Sequence, residues 1–171
     1  MYCPQQQKLF RYPSGPSCFG GNLSVGKRKT ARPISVKESI HVVLRAEKAR
    51  GKLSFLLPVN ARVFYQLMKL YGARFQVKVY HFALVGNHAH LLIKAKTKTG
   101  FQNFLRVFAG QLAQRITKAK PGQPLKTRFW DYIAFSRIIP WGKAYETAKR
   151  YLFKNTLQGA TIRVSWLNNS S

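Results

Sequence analysis

The sequence contains very little acid. Its 171 residues include 30 lysines and arginines but only four acidic residues, which gives a formal net charge of +26. This scarcity nearly excludes chemistry that needs several carboxylates, such as a paired-acid glycosidase or an all-carboxylate calcium site. A charge of this size also strains a compact chain through self-repulsion, so we expect a polyanionic partner, and nucleic acid is the leading candidate.

Cysteine and long apolar runs are scarce as well. The two cysteines, Cys3 and Cys18, are too few for a disulfide scaffold and match no zinc-ligand spacing. No apolar run approaches the ~18 residues of a membrane span, and the N-terminus lacks the apolar stretch of a signal peptide. We therefore expect a cytoplasmic protein without a membrane partner, whose 46% hydrophobic residues suffice for a core.

The order of the predicted elements indicates an α+β fold. The elements are a strand at 41–45, a helix at 58–71, strands at 75–85 and 88–96, a helix at 100–118, a strand at 128–139 and a helix at 143–157. This is the split βαβ order of a ferredoxin-like sandwich, an antiparallel sheet with helices on one face, here followed by a C-terminal helix.

Composition divides the chain into three segments. Residues 1–33 are rich in proline and glycine and are predicted to be a basic, flexible N-terminal arm, which ends near the cluster Lys27-Arg28-Lys29. Residues 34–160 form the predicted domain, and residues 161–171 a C-terminal tail that has room for one added strand at 161–166.

One predicted strand carries two histidines with the spacing of a metal site. His88 and His90 alternate with apolar residues, so both side chains point to the same polar face, which Lys94 and Lys96 share. Their ring nitrogens can converge on one divalent ion, which would act as a Lewis acid on a phosphoryl oxygen. The alternative is that both are ordinary surface or hydrogen-bonded histidines.

The segment Val85-Gly86-Asn87-His88-Ala89-His90-Leu91-Leu92 resembles the His-hydrophobic-His signature of the HUH single-strand DNA transposases. It is most similar to the REP-associated tyrosine transposase family, whose members read Pro-Asn-His-Val-His-Leu-Leu here. Further similarities in the same order are His41-Val42-Val43-Leu44-Arg45, Arg128-Phe129 and Arg150-Tyr151-Leu152-Phe153-Lys154-Asn155, the last resembling the family's Arg-Tyr-Ile-x-x-Asn.

This resemblance implies a transposase activity on DNA. Two histidines and a third polar ligand would hold Mg²⁺ or Mn²⁺ at the scissile phosphate of single-stranded DNA beside a hairpin. A tyrosine on the helix after the histidines would attack, forming a covalent phosphotyrosine and freeing a 3′-hydroxyl.

The chain departs from this pattern where the nucleophile is expected. Aligning the helix at 100–118 with the family places the tyrosine position at Leu112, which cannot act as a nucleophile. Tyr132 is the substitute that the sequence offers, but packing or stacking on a base is the favoured interpretation of this residue. Its neighbour Asp131 is a candidate third metal ligand, or an ion-pair partner of Arg128 or Arg137.

Cations and aromatics alternate at several places, as in proteins that bind single strands. The predicted nucleic-acid-binding residues are Lys27, Arg28, Lys29, Lys94, Lys96, Lys126, Arg128 and Trp130, and Trp141 is a further candidate for stacking.

Three functions remain open from the sequence alone. The first is an enzyme that cuts and rejoins single-stranded or hairpin DNA. The second is a non-cleaving, domesticated module that binds the same nucleic acids. The third is a basic RNA-binding protein in which the histidines are incidental.

Overall fold

The computed structural model describes residues 17–26, 28, 30–120 and 127–168, with the side chains of the last helix described to Leu157. Within these residues the chain forms five strands, β1 (Cys18–Phe19), β2 (Ser39–Arg45), β3 (Val77–Val85), β4 (His88–Ala95) and β5 (Phe135–Ile139). Its three α-helices are α1 (Pro58–Arg74), α2 (Lys98–Thr117) and α3 (Lys143–Asn168). No helix in this part of the chain combines the length and the apolarity of a membrane span.

The strands form a single sheet in the order β1-β5-β2-β4-β3, and every neighbouring pair is antiparallel. Strand β4 therefore lies between β2 and β3, which are the two strands that α1 connects. This is the split βαβ arrangement, and it confirms the predicted α+β, ferredoxin-like fold. Strand β1, which lies within the predicted N-terminal arm, adds a short strand beside β5.

The larger core lies between one face of the sheet and helices α1 and α2. Strand β4 contributes every second residue, Ala89, Leu91 and Ile93, because successive side chains point to opposite faces. From α2, Phe108 and Leu112 reach the same cluster and are fully buried. The apolar spacing along α2 thus serves packing, as its periodicity indicates.

The third helix covers the opposite face of the sheet. Ala148 and Leu152 of α3 pack against Leu92 of β4, Ala83 of β3 and Ile139 of β5 in a second, smaller core cluster. Leu92 alternates with His88 and His90, so α3 lies over the face that carries the histidines, and α2 lies on the other face.

Two predicted boundaries, one predicted strand and one predicted alternation are wrong. Strand β5 begins at Phe135 instead of residue 128, and α3 continues to Asn168 instead of ending near Gly159, so no strand forms at 161–166. Strand β3 has a bulge between Val79 and His81, where the pairing shifts from Val79↔Ile93 to His81↔Leu92. The bulge breaks the expected alternation and turns His81 and Ala83 toward α3.

We expect Leu112→Ala to lower the free energy of unfolding by about 2–5 kcal/mol, because the truncation leaves a cavity in the fully packed larger core. Leu70 lies on α1 with 57% of its surface exposed, and Leu70→Ala should change this free energy by only about 0.5 kcal/mol. Urea denaturation measures both, and equal losses would contradict the assignment of Leu112 to the core.

Candidate active site

Three histidines form a row on the sheet face beneath α3. His90 and His41 are almost fully buried, with 3% and 2% of their surface exposed, and His88 is half-buried. The β2–β4 register places Val43 opposite His90, so His41 is the diagonal neighbour of His90 on this face. The ring centroids of His88 and His90 are 4.9 Å apart, and those of His41 and His90 are 5.3 Å apart.

Two hydrogen bonds orient the rings of this row, one from His88 to Asn87 and one between His41 and His90. Nδ1 of His88 lies 2.9 Å from Asn87 Oδ1, and since an amide oxygen only accepts, Nδ1 carries the proton and donates it. His41 Nε2 and His90 Nδ1 are 3.1 Å apart, so one of them donates and the other accepts. When His90 Nδ1 donates, both His88 and His90 keep an unprotonated Nε2.

All three imidazoles are held in the neutral form. Burial, and then the positive charge of Arg137, lower the pKa of His41 to about 4. Burial and the charge of Arg45 lower the pKa of His88 to about 4. The pKa of His90 is lowered well below its ordinary value by burial and by its two histidine neighbours. Neutral imidazole is the form that ligates metals.

A tyrosine of α3 lies directly against this row. The Tyr151 ring meets His90 edge-to-face at a centroid distance of 5.5 Å and His41 at 6.2 Å. Burial raises the pKa of the Tyr151 phenol, while a hydrogen bond from Asn155 acts in the opposite direction. Tyr151 is half-buried, so its side chain joins the histidine row to the surface.

The structure brings neither Leu112 nor Tyr132, the two tyrosine positions considered from the sequence, next to His88 and His90. Leu112 is buried on the opposite face of the sheet, so a tyrosine at that position would not reach His88 or His90. Tyr132 is 46% exposed in the segment before β5, and its ring makes no contact with a histidine among the described residues. Tyr151 is the tyrosine that sequence reasoning missed.

Asp131 is engaged in an ion pair. Its carboxylate lies 3.2 Å from Arg45 Nε and accepts a hydrogen bond from the backbone N–H of Glu47 at 2.8 Å. The ion-pair alternative therefore describes its contacts, with Arg45 in place of the expected Arg128 or Arg137. Nowhere in the described chain do three His, Cys, Asp or Glu side chains form a group able to hold a metal ion, so the structure does not group Asp131 with His88 and His90.

The two histidines nevertheless fit a divalent metal as a pair of nitrogen ligands. His90 Nε2 is buried and has no hydrogen-bond partner within the described residues, an arrangement that costs free energy unless something binds there. One turn beyond Tyr151, Asn155 is 2% exposed and donates from Nδ2 to the Tyr151 carbonyl oxygen at 2.9 Å. The amide oxygen of Asn155 is a further potential metal ligand, of a type that divalent cations bind.

The predicted nucleic-acid-binding residues lie in different parts of the structure and do not form one group. Lys94 lies on the histidine face, and Lys96 and Arg128 are exposed. Trp130 is packed, because its ring stacks on Phe55 at 5.9 Å and its Nε1 donates to the Ala109 carbonyl oxygen. Arg28 is described only as an exposed residue outside regular structure, and Lys27, Lys29 and Lys126 lie outside the described residues.

The comparisons with known proteins give a family and a similar solved structure. A family model described as "Transposase IS200 like" matches residues 35–155, which include His88, His90 and Tyr151. Among solved structures, the chain is similar to a protein assigned as a transposase from Deinococcus radiodurans R1. That similarity has 14% sequence identity and a TM-score of 0.45, and it covers 75% of this chain and 98% of that one. No curated protein matches the sequence.

We expect the metal-free protein to lose stability on acidification. The folded-state pKa values of His41 and His88 are about 4, below the ordinary ~6.5, so the unfolded chain binds more protons between these limits. The free energy of unfolding should fall by about 1 kcal/mol per pH unit and per histidine as the pH drops from ~6.5 toward ~4. Denaturation in chelator at several pH values measures this, and a His41→Gln, His88→Gln double variant should show a shallower dependence. An equal slope in both proteins would contradict the burial of these rings.

Proposed function

This chain belongs to the IS200-like transposase family, and on that premise we propose that it cleaves single-stranded DNA with Tyr151 as the nucleophile. The observation that carries the proposal is the contact between the Tyr151 ring and His90, whose centroids are 5.5 Å apart. A nucleophile and a pair of neutral metal-ligating groups on one sheet face are the parts that phosphodiester transesterification requires.

The bond changes of the proposed step balance without a co-reactant. Oη of Tyr151 attacks the phosphorus, so that a bond from phosphorus to the tyrosine oxygen forms and the bond to the 3′ oxygen breaks. The phenol loses a proton, the departing 3′ oxygen gains one, and nothing is oxidised or reduced. Attack of a 3′-hydroxyl on the phosphotyrosine reverses the step and joins strands.

Charged residues of the chain favour an anion at this place. Arg45 and Arg137 lie close enough to the histidine row for their charges to lower the pKa values of His88 and His41. The charge of Arg137, and that part of the Arg45 charge which Asp131 does not balance, attract a phosphate and stabilise the negative charge that develops on it. A phenol with the ordinary tyrosine pKa of ~10 is already protonated at neutral pH, and burial raises the pKa of Tyr151 further, so its proton has to leave as the new bond forms.

His88 and His90 would hold the divalent ion, Mg²⁺ or Mn²⁺, through Nε2 atoms, with the Asn155 amide as an additional donor. When bound, the ion supplies Lewis-acid polarisation of the phosphate oxygen. His41 does not bind it directly in this proposal, since its Nε2 already contacts His90 Nδ1. Its role is to keep His90 in the tautomer whose Nε2 is unprotonated.

We expect Tyr151→Phe to abolish cleavage of a hairpin-flanked single strand in Mn²⁺, along with the covalent protein–DNA adduct, while strand binding persists. The substitution keeps the ring and removes only the attacking oxygen. Denaturing gels measure both products. Tyr132→Phe is the matched control and should cut normally, and loss of cutting in this variant alone would assign the nucleophile to Tyr132.

A non-cleaving binding module is the second candidate function. It is favoured by the lack of a third His, Cys, Asp or Glu ligand beside His88 and His90 in the described residues. Tight strand binding by the wild-type protein, with neither cutting nor adduct in Mg²⁺ or Mn²⁺, would establish it in place of the enzyme.

Removal of the His41 ring should weaken metal binding. We expect His41→Phe to lower the Mn²⁺ affinity by about 10- to 100-fold, the range seen when outer-shell partners of ligating histidines are lost. His41→Gln retains an acceptor for His90 and should lose less. Titration calorimetry gives both affinities, and unchanged Mn²⁺ binding in His41→Phe would show that His41 only fills space.

A further inference from the structure

Three aromatic rings form a platform on the histidine face, at the end of the sheet away from His88. The platform consists of Tyr80 from β3, Trp141 from the β5–α3 connection and Tyr145 from α3. The Trp141 ring lies 5.5 Å from Tyr80 and 4.8 Å from Tyr145, measured between centroids. Trp141 is 41% exposed, whereas Tyr80 and Tyr145 are half-buried and Tyr145 packs against the smaller core cluster, so Trp141 is the most accessible ring of the platform.

Two hydrogen bonds hold Trp141, the central residue of the platform, in place. The Trp141 indole Nε1 donates to the Lys37 carbonyl oxygen at 2.9 Å, and its backbone N–H donates to Glu38 Oε2 at 3.0 Å. Both partners belong to the segment just before β2, so this segment holds the Trp141 backbone through Glu38 and the indole ring through Lys37. A ring that is already fixed loses little conformational entropy when a ligand stacks on it.

Lysines flank the rings and give the platform a positive potential. Nζ of Lys94 is 5.6 Å from the Trp141 ring centroid, and Nζ of Lys78 is 5.1 Å from that of Tyr80. The two nearby acids have partners, since Glu38 accepts from Trp141 and Glu146 pairs with Lys149 at 3.6 Å. Cations beside exposed aromatic faces match the phosphates and bases of a single strand.

The platform lies on the same sheet face as the candidate active site. Lys94 follows His90 by four residues on the same strand, which places it about 13 Å farther along the same face at ~3.3 Å per residue. Between them, α3 covers Leu92. A DNA strand that has its scissile phosphate at the histidine row would therefore have to run beside α3 to reach the platform a few nucleotides away.

From these contacts we infer that Tyr80, Trp141 and Tyr145 bind an unpaired base of the DNA strand whose phosphodiester lies at Tyr151. The inference rests on the proposed function for the position of the scissile phosphate. It adds a stacking subsite, with Trp141 as its central residue and Lys78 and Lys94 as phosphate contacts.

The test is a double-mutant cycle that combines the protein substitution Trp141→Ala with a missing base in the DNA. A single abasic site is moved one nucleotide at a time through a labelled single strand. Fluorescence anisotropy in chelator measures binding by the full chain without cleavage. With wild-type protein, one abasic position should weaken binding by about 5- to 100-fold, the range of one stacked base. Trp141→Ala should bind the intact strand more weakly by a similar factor. On the strand that lacks the base at that position, Trp141→Ala should bind as well as the wild-type protein does.

Controls separate stacking from a structural role of Trp141. Tyr65 is a comparably exposed aromatic residue, on α1, and Tyr65→Ala should bind like the wild type. Trp141→Phe should recover part of the affinity. The inference would be overturned if Trp141→Ala weakened binding by the same factor on the intact strand and on every abasic strand. Such a result would mean that the substitution destabilises the protein in general. Stronger coupling with an RNA strand than with DNA would overturn the choice of partner.

The two proposals fail separately. If Tyr151→Phe abolishes cutting and no abasic position couples to Trp141, the subsite is wrong and the nucleophile stands. If Tyr151→Phe still cuts while the coupling is present, the nucleophile is wrong and the subsite stands.

Discussion

The contact between His41 Nε2 and His90 Nδ1, 3.1 Å long, is the interaction on which the candidate site depends. It joins two strands, and it forms only because the β2–β4 register sets Val43 opposite His90. A shift of one residue in this register would move the histidines of β4 to the apolar face, beneath α1 and α2. The packing of Ala89, Leu91 and Ile93 in the larger core prevents that shift, so the core and the site specify the same register.

The two faces of the sheet have different tasks. The face beneath α1 and α2 holds most of the buried apolar residues, which supply the hydrophobic stabilisation of the fold. The face beneath α3 holds neutral, buried histidines, the Nε2 of His90, which has no hydrogen-bond partner in the part of the chain that the structure describes, and nearby arginines. Such groups cost free energy when they are buried without a partner. An anion bound at this face would also reduce the self-repulsion that comes with a formal net charge of +26.

Alternation along β4 was sufficient to predict that His88 and His90 share a face, and element order was sufficient for the ferredoxin-like fold. The expectation that this face is polar was wrong, because α3 covers it and packs on Leu92. Sequence reasoning failed for Tyr151 because helical periodicity shows which side of a helix is buried, but not which face of the sheet it covers. The alignment of the helix at 100–118 with the family places the nucleophile position at Leu112, but this helix is α2, which lies on the face opposite the histidines. The signal that could have identified the tyrosine is the segment Arg150-Tyr151-Leu152-Phe153-Lys154-Asn155, where the family resemblance is found again. The bulge after Val79 has no signature in an alternating pattern, and Gly159 looks like a helix stop although the backbone continues past it.

The most direct measurement is the identity of the residue that becomes covalently attached to DNA. The full chain would be incubated with a hairpin-flanked single strand and Mn²⁺, digested, and analysed by mass spectrometry. A site in which α3 closes over the histidine row predicts nucleotide mass on the peptide that contains Tyr151. Nucleotide mass on the Tyr132 peptide, or strand cleavage with no peptide adduct at all, would contradict it.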